Sequence, residues 1–73
     1  MDKEMVKTQL IKNGIDWRDD EVCWIDGDYW TIQREPIYYR NSWGEINKLY
    51  FLMHIYFDSN NEVKSVSYAY EGA

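Results

Sequence analysis

From Leu49 to Phe57 the chain alternates without a break. Leu49, Phe51, Met53, Ile55 and Phe57 share one parity, the period-2 signature of a strand with one buried face. Tyr50, Leu52, His54 and Tyr56 make a mixed second face that reads as half exposed, and Lys48 opens the strand. Asp58-Ser59-Asn60-Asn61 is turn chemistry and predicts a three-residue loop, 59–61, with Asn61 in the left-handed region. Val63–Tyr70 then reads as the returning strand. Its parity puts Val63, Ser65, Ser67 and Ala69 on one face and Lys64, Val66, Tyr68 and Tyr70 on the other. The apolar set changes face between Val63 and Val66, which predicts a bulge or a sheet that is wet on its serine side. Glu71-Gly72-Ala73 is expected to fray.

The period changes at the other end of the chain. Asp2–Asn13 reads as a short helix with Val6 and Leu10 one turn apart and Met5 and Ile11 flanking them. Asp2 suits the N-cap, and Glu4 and Lys12 complement the two ends of the helix dipole. Gly14 stands where a left-handed terminating residue is wanted. So short a helix is marginal alone and is expected to dock on the sheet.

Between these elements, Glu21–Ile25 and Asp28–Arg34 flank Asp26-Gly27, a strong short-range hairpin signal. With Asp26 and Gly27 as the two central turn residues, Ile25 faces Asp28, Trp24 faces Tyr29 and Cys23 faces Trp30. Cys23, Ile25, Trp30 and Ile32 then share the more aliphatic side, assigned to the core. Val22, Trp24, Tyr29 and Thr31 share the other, with Trp24 and Tyr29 as a cross-strand ring pair. Pro36 interrupts the ladder, Ile37–Arg40 reads as a further strand, and Gly44 supplies a positive φ in the turn Asn41–Glu45. The expected fold is α+β, a single domain over residues 1–73. A short N-terminal helix packs on an antiparallel β-meander of about four or five strands. A small β-barrel with one helix is the alternative.

Composition adds a constraint. A 73-residue chain buries only about 60% of its unfolded surface. Four Trp, seven Tyr and two Phe are more ring surface than such a core hides easily, so some rings are expected outside, where Trp and Tyr favour interfaces. The plainer account is that Tyr simply clothes the outer face of a sheet. The first ten residues lack the apolar run of a signal peptide, and a lone Cys23 excludes an intrachain disulfide. The expectation is a soluble, cytoplasmic protein.

Charge is uneven. Residues 16–28 hold Asp16, Asp19, Asp20, Glu21, Asp26 and Asp28 against Arg18 alone, which accounts for the net −5 of the whole chain. Direct binding to nucleic acid or an anionic membrane is disfavoured, because both need a basic surface. The run lacks the spacing of a calcium loop, and His54 and Cys23 have no partners at ligand or triad spacing. A neutral Cys23 between Val22 and Trp24 is expected to be inert. No cofactor, no metal and no catalytic residue is expected, and the chain is not read as an enzyme.

Carboxylates beside rings suit a docking surface, since rings anchor and charges steer. The candidate partner-binding residues are Asp16, Trp17, Asp19, Asp20, Glu21, Trp24, Asp26, Asp28 and Tyr29, with Arg18 pairing a neighbouring carboxylate. The chain is similar in size and charge to phage and mobile-element inhibitors, including anti-CRISPR proteins. That likeness implies an inhibitor or regulator that occludes a larger basic protein, such as a nucleic-acid-handling CRISPR effector. Full mimicry of nucleic acid fits less well than blocking a basic groove with rings and carboxylates. Same-face strand residues lie roughly 6.6–6.8 Å apart, against one duplex charge per ~1.7 Å. The alternative is an accessory or immunity-type protein that binds through its Tyr-rich sheet face (Tyr50, Tyr56, Tyr68) or an edge strand, with the acids serving solubility. Pairing of that edge with a second copy, as a homodimer, is a further arrangement.

Overall fold

The Asp2 carboxylate accepts the Met5 N–H at 2.8 Å and starts helix α1, Lys3–Lys12. Gly14, at φ +79, lets the chain turn away behind the Asn13 C-cap. The computed structural model describes residues 1–72. After α1 come five strands: β1 Cys23–Asp26, β2 Tyr29–Gln33, β3 Ile37–Arg40, β4 Ile46–Phe57 and β5 Val63–Gly72. All pairings are antiparallel. The fold is the expected α+β arrangement, and the sheet is not closed into a barrel.

β4 is the spine. On one edge it pairs with β2 over residues 52–56 and with β3 over 46–49, so β2 and β3 lie end to end. Arg34 N–H still donates to the Phe51 carbonyl at 2.8 Å, and Pro36 marks the break before β3. On its other edge β4 pairs with β5 from Leu49 to Phe57. Asn61 takes φ 61 in the loop, as its position predicts. The register slips between Tyr56 and Phe57: Phe57 faces Val63, Tyr56 faces Ser65, and Lys64 is the extra residue of a bulge. The bulge keeps Val63 and Val66 both on the helix side. Contrary to the expected fraying, Glu71 and Gly72 are strand, opposite Tyr50 and Leu49; Ala73 lies outside the described residues.

The first hairpin corrects one expectation. Asp26 faces Tyr29, Ile25 faces Trp30 and Trp24 faces Thr31, so the loop is Gly27-Asp28 and not Asp26-Gly27. Gly27 has φ +56 while Asp28 stays at negative φ, the pattern of a turn that needs glycine at its first central position. The face assignment survives, because the slip moves each strand by one residue in opposite directions. The expected Trp24–Tyr29 pair does not form. Tyr29 stacks instead on Tyr56 across β4, at 4.7 Å between ring centres. Val22 also leaves its expected side. Residues 19–22 form a turn, with Val22 and Cys23 both donating to the Asp19 carbonyl, so alternation begins only at Cys23 and Val22 packs on the core.

The core is Val6 and Leu10 of α1 laid on Cys23, Trp30, Ile32, Ile55 and Phe57, with Ile15, Trp17, Val22, Met53 and Val63 around it. Ile25 faces the same side but is exposed on the outer strand. Length decides how far this core extends. A ten-residue helix is about 15 Å long, whereas twelve strand residues span about 40 Å. The helix covers the half of β4 that pairs with β2. The other half runs on with β3 as an arm, and the molecule measures 49 × 21 × 17 Å. No helix among the described residues is long and apolar enough to cross a membrane.

Candidate functional site

The acidic run is distributed over three places. Asp16 accepts from the Arg18 side chain (Nε, 3.0 Å) and from its backbone N–H (3.0 Å). These bonds hold its carboxyl below the usual carboxylate range. Arg18 is thus the local partner expected. Asp19 closes a turn by accepting the Glu21 N–H at 3.0 Å, and Asp20 and Glu21 beside it are exposed. Asp26 and Asp28 flank Gly27 at the far end of β1, and Asp28 is tied to Lys3 Nζ at 2.8 Å. Asp19, Asp20, Glu21 and Asp26 have no basic partner within ion-pair distance among the described residues.

The candidate rings also separate. Trp17 is half-buried against the core with Lys7 Nζ 4.2 Å above its face, so its cation site is already filled from within. Trp24 is 42% exposed on the sheet face away from the helix. Tyr29 shares that face, stacked between Tyr56 and His54. The Tyr29 and Thr31 hydroxyls lie 2.8 and 3.1 Å from His54 Nδ1. Burial and the nearby Tyr29 hydroxyl raise the Tyr56 phenol above its ordinary value. The Tyr-rich face also divides: Tyr50 and Tyr56 lie on the open side, and Tyr68, stacked on Phe51 at 5.3 Å, lies on the helix side.

Cys23 is buried, and burial pushes its thiol up, with the Asp16 charge adding to the effect. Labelling of the native protein by a thiol reagent is therefore expected to be on the order of 10³-fold slower than in denaturant, because reaction waits for opening. Fast labelling without denaturant is the contrary result. Among the described residues, no three His, Cys, Asp or Glu side chains converge on a point that could hold a metal ion.

The exposed apolar surface lies mainly elsewhere. Ile37, Tyr38, Tyr39, Trp43 and Ile46 are all exposed on the arm, and Trp43, at its tip, is 83% accessible. The tip is nevertheless tightly built. The Asn41 side-chain oxygen accepts the N–H groups of Trp43 (2.9 Å) and Glu45 (3.0 Å). Gly44, at φ +80, completes the turn and accepts from Arg40 Nη1 at 3.2 Å. Where the arm meets the body lies an open groove of about 860 Å³. Asp16, Asp19, Arg34 and Glu35 line it together with Phe51 and Tyr70. Two of the candidate carboxylates thus stand at the root of the arm. Clustered charge in the sequence does not mark the arm rings. The mismatch between a ten-residue helix and the long alternating strand was the signal that would have found them. Comparison with protein-family models, with curated proteins and with solved structures returns no match for this chain.

Proposed function

We propose that this chain is a protein-binding module, not an enzyme, that docks by inserting its β3–β4 arm into an apolar cleft of a larger protein. The observation that carries this reading is Trp43, 83% exposed on a tip that five local hydrogen bonds hold in shape. Water-facing Trp is costly to leave unpartnered and is the residue type most enriched at binding hot spots. A preformed tip also loses little conformational freedom on docking. Asp16 and Asp19 at the arm root then face the rim of the cleft and favour a basic one.

A second reading keeps the acidic surface in the lead. In it the protein inhibits or regulates a basic, nucleic-acid-handling partner such as a CRISPR effector by occlusion, as an anti-CRISPR-like factor of a phage or mobile element. Its support is the set of carboxylates without a basic partner among the described residues, Asp19, Asp20 and Glu21 before β1 and Asp26 at its far end, with Trp24 exposed on the strand between them.

Salt separates the two. Docking through the arm is expected to change less than about tenfold in affinity between 0.05 and 0.5 M salt, since apolar burial is not screened. Asp20→Asn, Glu21→Gln and Asp26→Asn together, none of them at the arm root, should leave co-purification of the partner intact, while Trp43→Ala with Tyr39→Ala should abolish it. The reverse pattern, with steep loss of binding in salt, would transfer the function to the acids.

A further inference from the structure

Besides the short stretch of β4 at 46–48, three strand edges are open among the described residues. Those of β1 and β3 are four residues long, and β3 is preceded by Pro36. The third, β5, runs for ten residues without proline, with its only charges at Lys64 and Glu71. An edge of that length without bulge or charge in its middle is the kind natural proteins cover. Its first residue is covered: Val63 N–H donates to the Met1 carbonyl at 2.8 Å. The rest is not.

The direction of its free groups follows from β4. Phe51 accepts from Arg34 and Phe57 donates to Asp28, so odd-numbered residues of β4 turn their amides toward β2. Their partners on β5 (Val66, Tyr68, Tyr70 and Gly72) sit in non-hydrogen-bonded pairs and turn theirs outward. Their side chains lie on the helix side of the sheet, while Ser65, Ser67 and Ala69 make a low, flat opposite face.

We propose that β5 pairs antiparallel with β5 of a second copy about a two-fold axis at Tyr68, joining two sheets into one. In this register Tyr68 faces its own counterpart and Val66 faces Tyr70. Each such pair exchanges two N–H···O bonds. Valine against tyrosine is a favourable cross-strand combination. Lys64 of one copy comes beside Glu71 of the other, twice over, whereas parallel pairing sets like against like. A shift to an axis at Ser67 would set Glu71 against Val63, whose N–H Met1 already occupies. The pairing also extends a cleft beside α1. Met53, Ile55, Val66 and Tyr68 floor it, and in the dimer the two clefts meet across the axis.

The test is sedimentation velocity of the intact chain at roughly 100 μM, where a pair with Kd near 1 μM is almost wholly dimeric. Wild type is expected as a dimer. Tyr68→Pro is expected as a monomer with a retained thermal transition, since the N–H it loses bonds nothing within one copy. Trp43→Ala should remain dimeric, which separates this contact from the arm. For register, Tyr68→Cys should cross-link two copies on mild oxidation and Tyr70→Cys should not, with Cys23 buried and out of reach. A monomeric wild type overturns the proposal and leaves the arm reading standing. So does a dimer that survives Tyr68→Pro, or a monomer that instead takes an added extended peptide along the same edge.

Discussion

Trp30→Ala is expected to remove most of the folding free energy of this domain. Trp30 is 2% exposed, the largest side chain in the core. It lies 4.6 Å from Phe57, ring centre to ring centre, under the helix, and its indole N–H donates to the Gly27 carbonyl at 3.1 Å. Truncating a buried Trp costs about 3–5 kcal/mol. Chains this small sit near the lower end of the usual range, about 5 kcal/mol. Thermal unfolding followed by circular dichroism should show a midpoint lowered by at least about 12 °C, or no cooperative transition at all. Trp43→Ala is the internal control: the same side chain, removed from water, should move stability by no more than about 0.5 kcal/mol. Equal losses at the two positions would contradict the burial on which the core is drawn.

For binding the order reverses. Trp43→Ala should weaken capture of the partner by about 2 kcal/mol or more, roughly 30-fold, while Trp30 contributes nothing except through folding. Titration calorimetry with the purified partner reads this directly. Asn41→Ala sharpens the test. It leaves the indole intact but removes the acceptor that fixes the N–H groups of Trp43 and Glu45. A loss smaller than that of Trp43→Ala but clearly above error is expected, because the loosened tip must be ordered on docking. If Trp43→Ala binds as wild type does, the tip is not the anchor.

Much of the architecture follows from local rules that neighbouring elements reinforce. Val6 and Leu10 mark the helix face, Asp2 and Gly14 bound it, and Asn61 fixes the last loop. Each is a strong preference with no competitor nearby. The register of the first hairpin is different. Asp26-Gly27 fits two turns equally well by propensity. Contacts distant in sequence select Gly27-Asp28: Phe57 donates to the Asp28 carbonyl and Lys3 holds its carboxylate. No window of residues 21–34 contains that information. For the candidate site, charge clustering in sequence named the acids but not their surroundings. Trp17 looked free and is stacked under Lys7, while Tyr29 looked paired with Trp24 and belongs to Tyr56 and His54. The arm rings were visible as letters, yet Tyr38 and Tyr39 read as ordinary strand residues until the reach of the helix is measured against the strand.

Along β4 the chain passes from a four-strand sheet, β1-β2-β4-β5, under a helix to a bare ribbon. Residues 52–56 are hydrogen-bonded to neighbours on both sides, but 46–48 have β3 alone. A lone two-strand ribbon is barely stable in water. Backbone deuterium uptake should therefore run as a gradient down a single strand, rapid at the Ile46 end and slow at Ile55. The ribbon can open between its two strands without disturbing the interior, while the turn over 41–45 keeps its own local bonds, and an arriving surface that clamps the ribbon would silence that opening.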